Sequence, residues 1–182
     1  MSKLLLILFI CLLTCGHEII GQTTLISNDI VKLTIENFPE SSYYKELKTK
    51  PEITTSFISA KTIDSGCIHY QTKEFNFKKE NITFVFTNNY DTTKVNYLES
   101  ICIKGEHTPF ITEDSIKVGD KIPITVICKD VDKLKEQHIK RNNKYVDHIF
   151  YKGINYCIEN IRTEKINPET RVKVNKIIIR SY

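Results

Sequence analysis

Alternation of apolar and polar residues is the main pattern along this chain. In residues 171–180, RVKVNKIIIR, the apolar Val172 and Val174 alternate with the basic Arg171 and Lys173. A period of two is typical of a strand with one buried face, and similar runs rich in β-branched and aromatic residues recur along the chain. The pattern predicts strands at 30–38, 53–63, 67–77, 82–87, 94–104, 122–128, 145–151, 154–161 and 171–180.

Two segments depart from this pattern and predict short helices. Residues 39–48 begin with a proline, which suits the first turn of a helix. Residues 130–142 show helical spacing, with a predicted stripe formed by Val131, Leu134, His138 and Ile139. Because no strand–helix–strand rhythm occurs, we expect a mainly β fold, an antiparallel β-sandwich or barrel-like single domain with one or two short helices.

The longest apolar run lies at the N-terminus. Lys3 precedes an unbroken apolar stretch from Leu4 to Leu13, which has the length of a secretory signal and is too short to span a bilayer. We expect residues 1–21 to be a signal peptide cleaved after Gly21, with a cut after Gly16 as the alternative. Residues 22–182 would then form a single β-rich domain, secreted or extracellular, with no transmembrane helix.

The end of this apolar run permits a second interpretation. Leu12-Leu13-Thr14-Cys15 resembles the lipobox of bacterial lipoproteins, although that motif normally has Gly, Ala or Ser at the position of Thr14. The resemblance implies cleavage before Cys15 and lipidation of its thiol. The protein would then be tethered to a membrane.

Outside the export segment, the chain has four cysteines. In an oxidising compartment an even number predicts disulfides, here two bridges with three possible connectivities, and buried free thiols are the alternative. The spacing contains no C-x-x-C, so it indicates neither a zinc ribbon nor a redox pair. The candidates are Cys67, Cys102, Cys128 and Cys157.

Two features point to the surface. Asn81-Ile82-Thr83 is a glycosylation sequon, which a eukaryotic secretory pathway would use. Basic residues are concentrated near the C-terminus of a chain whose formal net charge is +4. They predict a basic surface for anionic lipid, glycan or an acidic protein, or alternatively the solvated face of an edge strand: Arg171, Lys173, Lys176 and Arg180.

Catalytic signals are sparse. Cys67 and His69 would share one face of a strand, the one pairing suited to a thiolate nucleophile or a metal, provided that Cys67 is not in a disulfide. Asp147 and His148 are neighbours, but neighbours on a regular strand point to opposite faces. No nucleophile elbow, paired metal ligands or nucleotide motif occurs, so we predict no catalytic residue, metal or cofactor. Nucleic acid is not an expected partner of an exported chain with this mild positive charge.

These observations favour an exported, non-catalytic binding domain that recognises an extracellular or envelope protein, a glycan or an anionic surface ligand. One alternative is a lipid-anchored bacterial envelope protein. Another is a secreted inhibitor or immune-modulating factor, which would need a protruding loop such as residues 104–115. An enzyme whose site is assembled from distant loops is the remaining alternative.

Overall fold

A large antiparallel sheet dominates the fold. The computed structural model describes residues 23–25, 27–30, 32–61, 67–89 and 97–180. Within these residues, the strand order is β2-β3-β4-β5-β10-β9-β8, β7 pairs with the start of β10, and β1 pairs with β6 in a separate parallel ribbon. The strands are β1 (Thr23–Leu25), β2 (Glu52–Lys61), β3 (Cys67–Phe77), β4 (Ile82–Asn89), β5 (Tyr97–Ile103), β6 (Phe110–Thr112), β7 (Lys121–Pro123), β8 (Tyr145–Tyr151), β9 (Ile154–Arg162) and β10 (Arg171–Arg180).

In the described part of the chain, three short α-helices accompany the sheet: α1 (Ser27–Ile30), α2 (Ser42–Lys45) and α3 (Val131–Lys140). Single 3-10 turns occupy Phe38–Glu40, Ile124–Val126 and Thr163–Lys165. The helix predicted over 39–48 is confirmed only in its middle, because the Ser41 hydroxyl accepts a hydrogen bond from the Tyr44 N–H at 3.2 Å and so caps α2. In α3, Val131 is buried, whereas Ile139 is 58% exposed and lies off the predicted stripe.

The core lies between one face of the large sheet and a second, irregular layer. Alternate residues of β4, β5, β9 and β10 are buried on this face, and the second layer contains Phe38, Tyr43 and the β1–β6 ribbon. The Phe38 ring is fully buried and packs edge-on against Phe75, with the two ring centroids 5.3 Å apart. The prediction of a mainly β, antiparallel, sandwich-like single domain with short helices is confirmed.

Three register shifts interrupt the ladders of the described sheet, and the one in β10 changes which of its side chains share a face. In β10 the ladder to β9 shifts between Val174 and Lys176, so Asn175 is the extra residue. The buried positions therefore change parity, from Val172 and Val174 before the bulge to Ile177 and Ile179 after it. In the ladder of β8 with β9, Asp147 alone separates the paired Val146 and His148, whereas three residues of β9, 158–160, separate their partners. In the ladder of β4 with β5, the register shifts after Val85.

One predicted strand is wrong, and another is much shorter than predicted. In 30–38, the Asn37 side chain accepts a hydrogen bond from the Thr34 N–H at 2.8 Å and donates one to the Lys32 carbonyl at 3.0 Å. These local bonds compete with strand pairing, and only an isolated bridge from Thr34 to Tyr97 forms. In 122–128 the strand stops at Pro123, and a 3-10 turn follows.

The predicted strands 145–151 and 154–161 form a hairpin that turns at Lys152-Gly153. These two residues have φ angles of 49° and 78°, the positive values of a tight hairpin turn whose twist matches the flanking strands. The turn joins β8 to β9 and makes β8 one edge of the sheet in the described part of the chain.

Candidate functional site

A cleft of about 600 Å³ separates helix α3 from the edge strand β8. The helix contributes residues spaced by three or four positions, which is one stripe of its surface: Asp130, Lys133, Leu134, Gln137, His138 and Arg141. The opposite wall consists of the consecutive residues 148–152. We call this cleft, completed at one end by residues 127–129, the α3–β8 groove.

The helical wall is held in place by capping and by the loop that follows it. The Asp130 carboxylate accepts a hydrogen bond from the Lys133 N–H at 2.9 Å, which satisfies a free donor of the first helical turn. At the other end, the Thr163 hydroxyl donates to the Asn143 carbonyl at 2.8 Å. Because residues 141–144 connect α3 directly to β8, the strand runs back alongside the helix.

The strand wall presents backbone to the groove. Successive side chains of a strand point to alternate faces, so a wall of consecutive residues indicates that the strand edge itself borders the cleft. Within the described residues, β8 pairs with β9 alone and is therefore an edge strand of the sheet.

The groove is positively charged. Lys129, Lys133 and Arg141 line it, and none forms an ion pair with any described residue. The Asp130 carboxylate caps the helix. The fourth cation, Lys152, donates to the Asp114 carboxylate at 2.6 Å, and this hydrogen bond raises the pKa of the Lys152 ammonium.

Polar atoms of the groove also include a histidine nitrogen and a thiol. Nδ1 of His138 is buried and has no hydrogen-bond partner among the described residues. The Cys128 thiol donates to the Asp130 carbonyl at 3.4 Å, and burial raises the pKa of this thiol. A raised thiol pKa disfavours the thiolate form that a nucleophile or metal ligand needs.

The prediction that Asp147 and His148 point to opposite faces is wrong. Instead of pointing to opposite faces, the two side chains meet, with Nδ1 of His148 2.6 Å from Oδ1 of Asp147. His148 also lies opposite Cys157 in the ladder. These residue types resemble an acid, base and nucleophile, but burial raises the pKa of the Cys157 thiol, and thiolate catalysis needs a lowered one.

The predicted disulfides are not found among the described residues. Cys102, Cys128 and Cys157 are free thiols, and the side chain of Cys67 lies outside the description, as does that of His69. Cys102 is in β5 and Cys157 is in β9, with β10 between these strands. Strands two apart are separated by roughly 9.5 Å, whereas a disulfide needs Cα atoms within about 7 Å.

The four basic residues predicted as a surface lie on one face of β10, and two of them are engaged by other groups of the protein. The bulge at Asn175 brings Lys176 and Arg180 to the face already occupied by Arg171 and Lys173, and β10 is a central strand of the sheet. Lys173 lies 2.8 Å from the Glu106 carboxylate, a contact that lowers the pKa of Glu106 and raises that of Lys173. Arg171 donates to the Lys121 carbonyl at 2.6 Å.

The remaining sequence candidates have different outcomes. Asn81 is exposed at the turn from β3 to β4 with a φ of 54°, where a glycosylation site would be accessible. The loop 104–115 does not protrude as predicted, because it contains the buried strand β6, whose Phe110 lies in the core. Cys15 and the rest of the predicted signal lie outside the described residues.

No residue of the α3–β8 groove was predicted as a functional residue, apart from the disulfide candidate Cys128. One signal was present, since Lys133 and Arg141 are eight positions apart and so share a helical face. Among the described residues, no group of three His, Cys, Asp or Glu side chains is placed to hold a metal ion. Of the helices described, none has the length and apolar character needed to cross a membrane.

Comparisons of the chain with protein-family models, with curated proteins and with solved structures each returned no significant match.

Proposed function

We propose that this protein is an exported, non-catalytic binding domain whose α3–β8 groove receives an anionic part of its partner. The observation that carries the proposal is a set of three cations in a cleft of about 600 Å³, none of which forms an ion pair with a described residue: Lys129, Lys133 and Arg141. An ammonium or guanidinium that has no internal partner is available to a ligand, and a charge-assisted hydrogen bond is about twice as strong as a neutral one.

The groove is a better candidate than the basic strip of β10. In that strip, Lys173 is engaged by Glu106 and Arg171 by the Lys121 carbonyl, so a ligand would have to displace these contacts. The strip also lies on an open sheet face, whereas the groove has two walls that can surround a ligand.

The protonation state of the cysteines also favours a binding function over thiol catalysis. Burial raises the pKa of both Cys128 and Cys157, so at neutral pH these side chains are thiols. The proposal includes export, for which the apolar run in residues 1–21 is the support, with a lipid anchor at Cys15 as the alternative. It also includes glycosylation at Asn81, for which the sequon is the support.

The test is reversal of charge in the groove. We expect the double variant Lys133→Glu/Arg141→Glu to weaken binding of a fluorescent acidic heptapeptide or a sulfated oligosaccharide at least about tenfold. Losing one charge-assisted hydrogen bond costs about 1.5–3 kcal/mol, and about 1.4 kcal/mol corresponds to a factor of ten. Binding would be followed by fluorescence anisotropy at fixed ionic strength.

The matched control is Lys104→Glu/Lys121→Glu, which makes the same change in net charge at exposed positions outside the groove. Both proteins would first be shown to keep the melting temperature of the parent. Equal losses in the two double variants would mean that binding follows overall charge, and the groove would not be the binding site.

A further inference from the structure

Strand β2 is an edge strand with exposed apolar side chains, and it lies at the end of the sheet opposite β8. Within the described residues it pairs with β3 alone, over its whole length and without a register shift. Ile53 and Phe57 lie on one face of β2 and are 51% and 72% exposed. An exposed, apolar edge strand is a surface for pairing with another chain.

These exposed side chains continue the core face of the sheet. Ile53 lies opposite Phe75 in the β2–β3 ladder, and Phe75 is buried in the core against the Phe38 ring. Phe57 is on the same face and lies opposite Gln71, which is only partly buried. The apolar face therefore extends past the second layer, and a partner that covers it needs apolar side chains at the same spacing.

The charge of β2 indicates the kind of partner. Residues 53–60 carry no charge, and Glu52, at the start of the strand, is paired with Lys78 at 2.7 Å. A charged segment would find no opposite charge to pair with along this edge. The matching partner is a neutral strand with apolar residues four positions apart on one face, and β2 of a second copy is such a strand.

Two-fold symmetry determines how two copies of β2 pair. Strands related by an axis perpendicular to the sheet are antiparallel, and the residue on the axis faces its own counterpart. With Thr55 on the axis, Ile53 of each copy faces Phe57 of the other. Both exposed apolar side chains are then covered, and no like charges face each other between residues 53 and 57.

The paired stretch is long enough for a stable interface. In this register, residues 52–58 of the two copies pair, and all of them belong to β2. Alternate pairs of an antiparallel ladder exchange two hydrogen bonds each, so this stretch forms about six to eight of them. That number lies within the range of typical protein–protein interfaces, which have about 10 hydrogen bonds with a spread of about 5.

We infer that the protein forms a two-fold symmetric dimer in which the β2 strands of two copies pair antiparallel around Thr55 and join their sheets. Each copy uses its β2 edge once, so the assembly closes at two copies. The α3–β8 groove lies at the other edge of the sheet and does not take part. The dimer and the proposed function are therefore independent, and either can fail without the other.

The experiment compares three double variants of the full chain: Ile53→Lys/Phe57→Lys, Ile53→Glu/Phe57→Glu and Ile53→Lys/Phe57→Glu. Sedimentation velocity over a concentration series measures the dissociation constant of each dimer. Like charges that face each other destabilise paired strands, whereas opposite charges stabilise them. We expect both like-charge variants to dimerise at least about tenfold more weakly than Ile53→Lys/Phe57→Glu, in which each introduced lysine faces a glutamate of the other copy.

The variant Ile53→Glu/Phe57→Glu separates this effect from net charge. It lowers the net charge of a basic protein by two and so reduces overall repulsion between copies, yet it should dimerise weakly. An equimolar mixture of the two like-charge variants should form dimers, because lysines of one copy then face glutamates of the other. The melting temperature of each variant would first show that the fold is retained.

Amide hydrogen exchange gives a second readout that needs no variant. Raising the concentration of the parent should slow exchange at alternate residues of 52–58 and leave β8 unchanged. A parent that stays monomeric at every accessible concentration, or a mixture of like-charge variants that forms no dimers, would overturn the β2 dimer. Dimers of Ile53→Lys/Phe57→Glu as weak as those of the like-charge variants would overturn the register around Thr55.

Discussion

The thiols of Cys128 and Cys157 are half-buried, and burial raises the pKa of each. We expect iodoacetamide to modify both more slowly at pH 8 than it modifies them in the urea-unfolded chain, because the thiolate is the reacting form. These raised pKa values also make the stability of the fold depend on pH. A pKa raised by folding contributes stability that is present below the unfolded-state pKa and is lost as the pH rises through the folded-state pKa.

Peptide mapping by mass spectrometry, as a function of pH, would measure both rates. Equal rates for the folded and unfolded chain would contradict the assigned burial. Lower stability at alkaline pH in the parent, but not in the variant Cys128→Ser/Cys157→Ser, would show that these thiols contribute to the pH dependence.

Side-chain parity was predictable from sequence only where the strand is regular. In β10, Val172 and Val174 were correctly predicted on the face opposite Arg171 and Lys173, but nothing in RVKVNKIIIR marks Asn175 as a bulge. The same limit applies to β8, where a regular strand would separate Asp147 from His148. A bulge depends on the partner strand, which local sequence does not identify.

At the scale of elements, the strands that pair with neighbours in hairpins were the predictable ones. The limits of β3 and β8 agree with the runs 67–77 and 145–151, because alternation and turn residues act locally. Residues 30–38 had the same alternation but belong to the irregular second layer, where the Asn37 side chain takes the backbone bonds. Both walls of the groove were predicted, whereas their packing side by side was not, because this is a tertiary contact.

The edge strand β2 leads to a prediction about self-association. Ile53 and Phe57 are 51% and 72% exposed on this strand, and residues 53–60 are uncharged. Unpaired, apolar edge strands promote pairing between molecules, and a lysine at the edge opposes it. We expect Phe57→Lys to shift the onset of association to higher protein concentration in sedimentation velocity experiments.

The control for this edge is Val126→Lys, which adds the same charge at a position that is 39% exposed and outside the sheet. An equal shift in both variants would attribute the effect to net charge. No association of the parent at any accessible concentration would show that the β2 edge is already protected.

On the scale of the whole molecule, long-range ion pairs decide where the positive charge is available. The strip of β10 and the groove both have basic residues, yet Lys173 is engaged by Glu106 and Lys152 by Asp114, partners distant in sequence. Lys129, Lys133 and Arg141 remain without such partners among the described residues. The sequence therefore indicated a basic protein correctly, but its basic site is better assigned after the fold is known.

The free thiols also lead to a prediction for the whole chain. If residues 1–21 direct export, the secreted product should have the intact mass of a chain that begins at Gln22 and melt at the same temperature with and without reductant, because Cys102, Cys128 and Cys157 are unbonded. A native disulfide typically contributes about 2–4 kcal/mol, and in a domain of this size each kcal/mol shifts the melting temperature by about 2–4 °C. If the protein had a disulfide, reduction would thus lower the melting temperature measurably in calorimetry.

A drop that disappears in Cys67→Ser would show that Cys67 forms a disulfide with one of the three other cysteines. A diacyl or triacyl mass on a chain beginning at Cys15 would show that the protein is tethered to a membrane and not secreted.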